Sequence, residues 1–315
     1  MANPSKRDRI EAALQGELLD RPPVCFWHHF RPEGSGYRLA ELTYDFFIRR
    51  FDLDIAKLMP DLRYPFPRRT ITTPDDWYLV DSIDFRTSRY AREWIRAVRR
   101  LRELAGPEVP IVVTVFSPLT QVLYFVADHQ LFLQHAVERP ALLHQVLAIV
   151  AENVRQQIEL VLAAGADGIF FALQGCSATV MPVERYREFG RPYDLLALSG
   201  AADGWLNILH IHGERDLYFD EVLDYPVRVL SWSDRRAGPS LAHASQRTTK
   251  CLMGGWDELG PLARGPEEAI RDEARDAVLQ TNGRRLILAN GCSVPDETDE
   301  RWLAAARRVA DELTS

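Results

Sequence analysis

Short apolar runs alternate with longer amphipathic stretches along most of this chain. Eight runs are rich in apolar, β-branched or aromatic residues: Val24–Phe30, Asp54–Pro60, Val109–Phe116, Gly168–Leu173, Asn207–Gly213, Arg228–Trp232, Cys251–Trp256 and Leu286–Gly291. Between them, five stretches have a helical apolar period: Ser88–Leu104, Pro140–Ala164, Val183–Ser199, Pro266–Gln280 and Thr298–Leu313. Strands that alternate with helices predict a parallel sheet.

The number of these units favours an α/β fold of the (β/α)8, or TIM, barrel type. Eight strand–helix units in 315 residues match a barrel, whose usual length is about 250 residues. An open doubly wound sheet is the competing fold. It is less favoured because no glycine-rich phosphate loop follows any early strand. We therefore predict one domain over residues 1–315, with an N-terminal helical extension over about residues 1–20.

Composition and charge narrow the classes of partner. The chain has 38 basic and 45 acidic residues, a net charge of −7, without a basic stripe. Nucleic acid is therefore not expected as the main partner, because phosphate neutralisation needs clustered cations. No apolar run reaches the roughly 18 residues of a membrane span. The N-terminus lacks an apolar signal core, and the four cysteines form no disulfide framework, so a cytoplasmic protein with free thiols is expected.

Polar residues concentrate where the predicted strands end. Active sites of this fold lie at the carboxyl ends of the strands. Those ends carry His28, His29, Asp61, Ser117, Gln174, Cys176, His210, His212, Trp232, Asp234, Trp256 and Cys292. Four of the eight histidines and two of the four cysteines are in this set, so we expect the functional site at this rim of the barrel.

The segment Leu209–Gly213 is the sharpest local motif. Residues i and i+2 of a strand face the same side, so His210 and His212 would point into the same space. Cys292, at the end of the last strand, would complete a His2Cys set. Zinc accepts three protein ligands and keeps a fourth position open when it is catalytic. The alternative is that the histidines are hydrogen-bonded pocket residues and Cys292 is a buried thiol.

Other residues at the rim are candidates for binding or proton transfer. Only one of the neighbours His28 and His29 can face the barrel if both lie on a strand, and the sequence leaves open which one does. Asp61 could orient a cationic group or transfer a proton, or it could cap the following turn. Tyr124 could present its hydroxyl to the site, and Gln174 could donate to a carboxylate or carbonyl. Trp232 is expected beside them in a substrate pocket.

The order of several motifs resembles the uroporphyrinogen decarboxylase superfamily over nearly the whole chain. The motifs are Asp20–Val24, Met59–Leu62, Phe116–Thr120 leading to Tyr124, Gly165–Gly168, Tyr186–Phe189 with Pro192-Tyr193, His210–Gly213, Gly254-Gly255 and Gly291-Cys292 before Pro295. This resemblance implies a (β/α)8 barrel. It also implies that Asp61 is a pyrrole-binding aspartate and Tyr124 an active-site tyrosine.

The chain departs from the decarboxylase branch of that superfamily at the first strand. Decarboxylases carry an arginine-rich motif there, which holds the carboxylates of the substrate. In this chain, His28 and Pro32 stand at the positions of the expected arginines, with Arg31 one place away. A substrate with many carboxylates needs several bidentate cations. Cys292 replaces a histidine of the decarboxylases.

The second branch is that of methylcobalamin:coenzyme M methyltransferases and related corrinoid-dependent methyltransferases. Those enzymes hold zinc with a His-x-Cys pair and a distant cysteine. His210 and Cys292 match the outer ligands, and His212 replaces the middle cysteine. A neutral imidazole in place of a thiolate makes the metal more electrophilic, which favours water or an oxygen acceptor. The resemblance implies zinc, with methylcobalamin or another corrinoid as methyl donor or acceptor.

Three functions follow as hypotheses. The leading one is a zinc-dependent methyltransferase that acts on a small molecule with a corrinoid-carrying partner, as a monomer or homodimer. The metal ligands would be His210, His212 and Cys292. The second is a cofactor-free decarboxylase of a porphyrinogen or smaller carboxylated ring, with Asp61 on the pyrrole N–H groups. The third is a corrinoid- or tetrapyrrole-binding protein without catalytic activity.

Overall fold

Strands and helices alternate from one end of the chain to the other. We describe the protein from a computed structural model, in which residues 4–64, 69–80 and 86–313 are described. The strands are β1 Val24–Cys25, β2 Ala56–Leu58, β3 Ile111–Phe116, β4 Gly168–Leu173, β5 Ile208–Ile211, β6 Val229–Trp232, β7 Cys251–Trp256 and β8 Leu286–Asn290. The α-helices are α1 Lys6–Gln15, α2 Gly36–Tyr44, α3 Arg89–Ala105, α4 Pro118–Leu123, α5 His129–Glu138, α6 Pro140–Ala163, α7 Val183–Phe189, α8 Arg191–Leu198, α9 Leu241–Ser245, α10 Pro261–Arg264, α11 Glu267–Thr281 and α12 Glu300–Glu312. A π-helical segment, Asp45–Arg50, continues α2, and short 3-10 turns span Pro74–Leu79, Ser199–Ala201 and Phe219–Val222.

The eight strands form a nearly closed parallel barrel. Their order is β1-β8-β7-β6-β5-β4-β3-β2, and every recorded pairing is parallel. At the seam between β1 and β2, the amide of Asp54 donates to the carbonyl of Val24 at 3.0 Å. The prediction of a (β/α)8 barrel is confirmed.

A buried ion network holds the amino-terminal end of the seam together. The Asp54 carboxylate accepts hydrogen bonds from Arg9 at 3.0 Å, from Arg21 at 2.6 Å and from the amide of Val24 at 2.8 Å. A fully buried carboxylate is tolerable when cations and amides surround it in this way. The network ties α1 to the first two strands, and so gives the N-terminal helix a structural task.

Two predicted elements differ in the structure. The run predicted as a strand over Val24–Phe30 pairs only at β1, because beyond it the amide of Phe30 donates to the Asp61 side chain instead of a neighbouring strand. The helix predicted over Val183–Ser199 is two helices, α7 and α8, which meet at Gly190. A side chain at Gly190 would lie 2.6 Å from the ring of Tyr186, so the close approach there requires glycine.

The register of the strands decides which side chains enter the barrel. His210 of β5 pairs with Ala172 of β4 and with Ser231 of β6. Residues that pair in a parallel sheet share a face, and successive residues alternate. His210 and Ser231 therefore face the barrel interior together, and Trp232 faces the surrounding helices. Among the described residues, no helix is long and apolar enough to cross a membrane.

Candidate metal centre and barrel mouth

His210 and His212 share one face at the carboxyl end of β5. His210 lies within the strand and is buried, and His212 follows the last strand residue, held by a bond from its amide to the carbonyl of Leu173 at 2.8 Å. Their ring centroids are 6.0 Å apart. Gly213 follows with a φ of 151°, which lets the chain turn away directly above the pair.

Cys292 completes a three-residue cluster from the end of β8. It follows β8, and its carbonyl accepts a hydrogen bond from the side-chain amide of Asn290. Its Sγ lies 3.4 Å from Nδ1 of His212. One ligand atom from each of His210, His212 and Cys292 lies within 4.8 Å of the other two.

The His212–Cys292 edge of this cluster matches the geometry of a tetrahedral zinc ion. Zinc–nitrogen and zinc–sulfur bonds of about 2.0 and 2.3 Å give an N···S edge of about 3.6 Å. The 3.4 Å between the Cys292 sulfur and the His212 nitrogen is close to that edge. The donor chemistry also agrees, since imidazole and thiolate are the ligands that zinc prefers to carboxylates. The cluster can therefore hold a metal with one position open.

The two histidines are in the protonation state that a metal requires. Burial lowers the pKa of His210 well below its ordinary value, and burial also lowers the pKa of His212. Both rings are therefore neutral at physiological pH, with a nitrogen lone pair available. Burial raises the pKa of the Cys292 thiol. Without a metal it is therefore protonated, and metal binding would release that proton.

The ring of His210 is oriented by its neighbours. Its Nδ1 lies 3.3 Å from the hydroxyl of Ser231, which leaves Nε2 for a ligand. Phe170 stacks on the same ring at 5.1 Å, and Trp27 meets it edge-on at 6.5 Å. A hydrogen bond to the second ring nitrogen is the usual means of fixing the tautomer of a metal-binding histidine.

Glu258 belongs to the same pocket and was missed from the sequence. The three ligand candidates line a pocket of about 180 Å³, together with Glu258 and Ser233. The Ser233 hydroxyl donates to one oxygen of Glu258 at 2.7 Å, and the other oxygen has no partner among the described residues. Burial raises the pKa of Glu258, so the pocket offers a carboxyl group that can hold a proton. Its position two residues beyond β7 was the available signal.

Lys57 is the second residue that the sequence analysis missed. It lies on β2 with 1% of its surface exposed, inside the barrel. Its ammonium group contacts the faces of Phe170 at 4.2 Å and Trp27 at 4.9 Å, and lies 3.0 Å from the sulfur of Met59. Burial lowers its pKa to about 7. A lysine within the apolar run Asp54–Pro60 was the signal for it.

The other side of the barrel mouth carries Asp61, Tyr124 and Gln174. Asp61 is bonded to Nδ1 of His29 at 2.7 Å and accepts from the amide of Phe30 at 2.6 Å. The side-chain amide of Gln174 donates to the hydroxyl of the half-exposed Tyr124. Gln174 also lines an open groove together with His212. These side chains stand where the sequence places them, and their roles remain predictions.

Two residues that were predicted to bind substrate, His28 and Trp232, contact packed side chains and not the open barrel mouth. His28 packs against Phe30 at 4.7 Å and Phe46 at 4.6 Å, so it joins an aromatic cluster while His29 meets Asp61. Trp232 is fully buried, contacts Phe219 at 4.8 Å and donates its indole N–H to the carbonyl of Pro239. Strand alternation turns Trp232 toward the surrounding helices, and the contacts of His28 are with aromatic rings. The binding roles predicted for these two residues are not supported by these contacts and remain predictions.

The fold and this cluster define a class: a (β/α)8 barrel with a candidate metal centre at the carboxyl ends of β5 and β8. Comparison with known families narrows the class. The profile described as uroporphyrinogen decarboxylase (URO-D) matches residues 51–313. The chain belongs to the uroporphyrinogen decarboxylase family, as the sequence motifs indicated.

Individual relatives fall into both branches of the family. The chain is 26% identical over 218 residues to "Methylcobamide:CoM methyltransferase MtaA" of Methanosarcina barkeri, covering 69% of this chain and 62% of that protein. It is 27% identical over 289 residues to a uroporphyrinogen decarboxylase of Bordetella petrii, covering 78% of this chain and 75% of that one. The methyltransferase alignment thus spans about three fifths of that relative's length.

A solved structure agrees with the fold over almost the whole chain. A methyltransferase from Methanosarcina mazei superposes with a TM-score of 0.80 at 22% sequence identity, covering 98% of both chains. At that identity the likeness establishes the shared barrel and leaves the reaction open.

Proposed function

We propose that this protein is a zinc-dependent methyltransferase that works with a corrinoid-carrying partner. The observation that carries the proposal is the convergence of His210, His212 and Cys292 within 4.8 Å at the carboxyl ends of two strands. The methyltransferase relatives support the one-carbon chemistry. Bound zinc would supply a Lewis acid that lowers the pKa of the acceptor bound at its open position.

The residues around the cluster have tasks that follow from their contacts. Ser231 fixes the ring of His210, and the apolar rings of Phe170 and Trp27 exclude water behind it. Glu258, whose pKa is raised by burial, can take up or return the proton of an acceptor. Asp61 and the Tyr124–Gln174 pair would orient the organic part of the substrate from the opposite side.

The ligand set favours an oxygen acceptor over a thiol. The ligand set of two neutral imidazoles and one thiolate carries one negative charge, whereas a His-Cys-Cys ligand set carries two. The metal is then more electrophilic, and a bound thiolate is less nucleophilic. We infer that water or an alcohol is the better acceptor at this centre.

Decarboxylation of a porphyrinogen is less well supported by the contacts of Asp61. Both of its oxygens are already bonded, one to His29 and the other to the amide of Phe30. Because each carboxylate oxygen has two lone pairs, pyrrole N–H groups would have to share Asp61 with these two donors. The alternative function would also leave the His2Cys cluster without a task.

Metal analysis tests the proposal. Inductively coupled plasma mass spectrometry on the purified protein should find about one zinc per chain. His210→Ala, His212→Ala and Cys292→Ala should each lose it, while Cys251→Ala, a buried thiol at the opposite end of the barrel, should retain it. A folded parent protein that takes up no zinc would contradict the proposal. Decarboxylation of carboxylated pyrroles, with Asp61→Asn as control, would then be the next assay.

A further inference from the structure

A second cavity lies beside the barrel mouth, apart from the metal pocket. It has a volume of about 410 Å³ and is lined by residues of β3, α3, α4 and α6 and by residues from 60–64 and 69–70. That volume is in the usual range for small-molecule sites. Tyr124 forms part of its wall. His210, His212 and Cys292 do not line it, so the cavity lies outside the metal pocket itself.

The wall of the cavity is aromatic. Tyr64 stacks on Phe125 at 6.0 Å and meets Tyr90 edge-on at 5.7 Å, and Tyr90 meets Trp94 edge-on at 6.3 Å. Phe116 lines it at the end of β3. An aromatic wall of this kind suits a flat ring of similar size.

Two buried polar atoms in this wall lack partners. The hydroxyl of Thr114 and the carbonyl oxygen of the Gln157 side chain have no hydrogen bond within the described part of the chain, although each residue is only 3% exposed. The amide nitrogen of Gln157 already donates to the hydroxyl of Tyr90, at 3.5 Å. Its free oxygen is an acceptor. A buried polar group without a partner costs free energy, so a ligand or water should supply one.

Charge at the edge of the cavity has one sign. Arg63 and Arg69 line it, and no carboxylate is among the described residues that do. Arg69 is bonded to Asp76 at 2.7 Å, whereas Arg63 is exposed and has no ion pair with any described residue. The edge therefore suits an anionic group.

The aromatic wall, the two unpartnered polar atoms and the arginine at the edge together suit one kind of ligand. We propose that the cavity binds a monocyclic phenolic carboxylate. Its ring would lie between the aromatic side chains, and its phenol hydroxyl would donate to Gln157 with Thr114 alongside. Its carboxylate would reach Arg63. Binding of this kind needs no metal, so it stands or falls independently of the proposed zinc site.

Calorimetric titration of the purified protein with 4-hydroxybenzoate tests the proposal. We expect saturable binding of one molecule per chain. Benzoate, which lacks the hydroxyl, should bind about fivefold more weakly, the factor that corresponds to one hydrogen bond of about 1 kcal/mol. His212→Ala should bind 4-hydroxybenzoate as the parent does. Absence of saturable binding up to millimolar ligand would overturn the proposal and leave a water-filled cavity.

Gln157→Leu is the decisive variant. Because it removes the acceptor, it should abolish the fivefold preference for 4-hydroxybenzoate over benzoate. Gln156→Leu, one residue along α6, should keep the preference, because the amide of Gln156 bonds Glu152 at 2.9 Å instead. Thr114→Val, which preserves shape, provides a second test and should reduce the preference. A preference that survives both Gln157→Leu and Thr114→Val would refute the assignment.

Arg63→Gln tests the anionic end. This variant should bind benzoate and 4-hydroxybenzoate two- to fivefold more weakly than the parent. The effect is modest because the arginine is exposed. The uncharged 4-hydroxybenzamide should bind the parent and the variant equally. Loss of binding in His212→Ala would instead show that the acid occupies the metal centre, which contradicts the proposal.

Discussion

The two sides of the barrel mouth are built differently. On the β5–β8 side, three ligand atoms converge within 4.8 Å around a pocket of about 180 Å³. On the β2–β4 side, a cavity of about 410 Å³ is enclosed by aromatic rings. The first has soft and neutral donors that already sit at metal-ligand spacing. The second offers the Thr114 hydroxyl and the Gln157 side-chain oxygen in an aromatic wall, and no group of metal-ligand side chains among the described residues.

This difference separates two kinds of recognition in one barrel. An ion is recognised by a few donors at fixed short distances, so the strand ends supply them. An organic molecule is recognised by shape and by a few directional bonds, so helices and loops supply a larger wall. Tyr124 and Gln174 connect the metal side to the cavity side. Gln174 lines the groove that His212 also lines, and its side-chain amide donates to the hydroxyl of Tyr124, which lines the cavity.

The largest expected effect is on zinc affinity, and it should leave ligand binding in the cavity unchanged. Cys292→Ala should weaken zinc binding by more than about 100-fold, beyond the 10- to 100-fold typical of residues that support a ligand. The same variant should bind 4-hydroxybenzoate within twofold of the parent. Competition with a chromophoric chelator and calorimetry measure the two affinities. If zinc affinity stays unchanged, the donor set does not include Cys292.

Lys57 lies under the metal side and gives the next largest effect. Its folded-state pKa, about 7, is below its ordinary value of 10.5. The unfolded chain therefore binds more protons between these pH values, and this residue makes the protein less stable as pH falls from 10.5 toward 7. Lys57→Met should raise the free energy of unfolding by about 2–4 kcal/mol at pH 7, and by less at pH 9.

Urea unfolding of parent and variant at both pH values measures this effect. Lys6→Met is the control, because its ammonium group is paired with Asp52 at 2.6 Å and its charge is not buried alone. A variant that is less stable than the parent at pH 7 would show that the lysine makes a favourable contact in the barrel.

Ser231→Ala should have a smaller effect, confined to the metal side. Without its hydroxyl the ring of His210 loses its orienting contact, and zinc should bind about tenfold more weakly. Ser233→Ala is the matched control, because its hydroxyl bonds Glu258 and no ligand candidate. Equal losses in both variants would show that the effect is general to the pocket and not a matter of ring orientation.

The sequence predicts the metal side better than the cavity side, for a physical reason. Strand periodicity and the order of the strands bring His210, His212 and Cys292 to one rim, and both can be read along the chain. The aromatic cavity joins β3 to three helices, and helix packing angles are not written in a local pattern. Thr114 and Gln157 are ordinary strand and helix residues until that packing is known.

The differences between the predicted and the observed rim have the same origin. Ser231 and Trp232 are neighbours on β6, so only one of them can face the barrel interior. The sequence does not say which one does. Lys57 is not among the predicted rim residues, although a charged residue in a buried strand contradicts the usual pattern. Such a contradiction is itself a sign of function or strain, and it was the available signal.

His28→Phe should have the smallest effect, and it tests whether this residue packs or binds. Burial lowers the pKa of His28 from its ordinary value of 6.5, so its ring is neutral in the fold and the unfolded chain binds more protons below pH 6.5. Phenylalanine fits the same contacts with Phe30 and Phe46 and has no charge to acquire. The free energy of unfolding of the variant should therefore equal that of the parent or exceed it by up to about 1 kcal/mol at pH 7.5, and the gain should grow as pH falls through 6.5.

The affinities of the variant for zinc and for 4-hydroxybenzoate should change less than twofold. His29→Phe, the neighbouring control, removes a bond to Asp61 and should show no gain in stability. Weaker ligand binding in His28→Phe than in His29→Phe would return His28 to the substrate pocket and move the boundary between the two sides of the mouth.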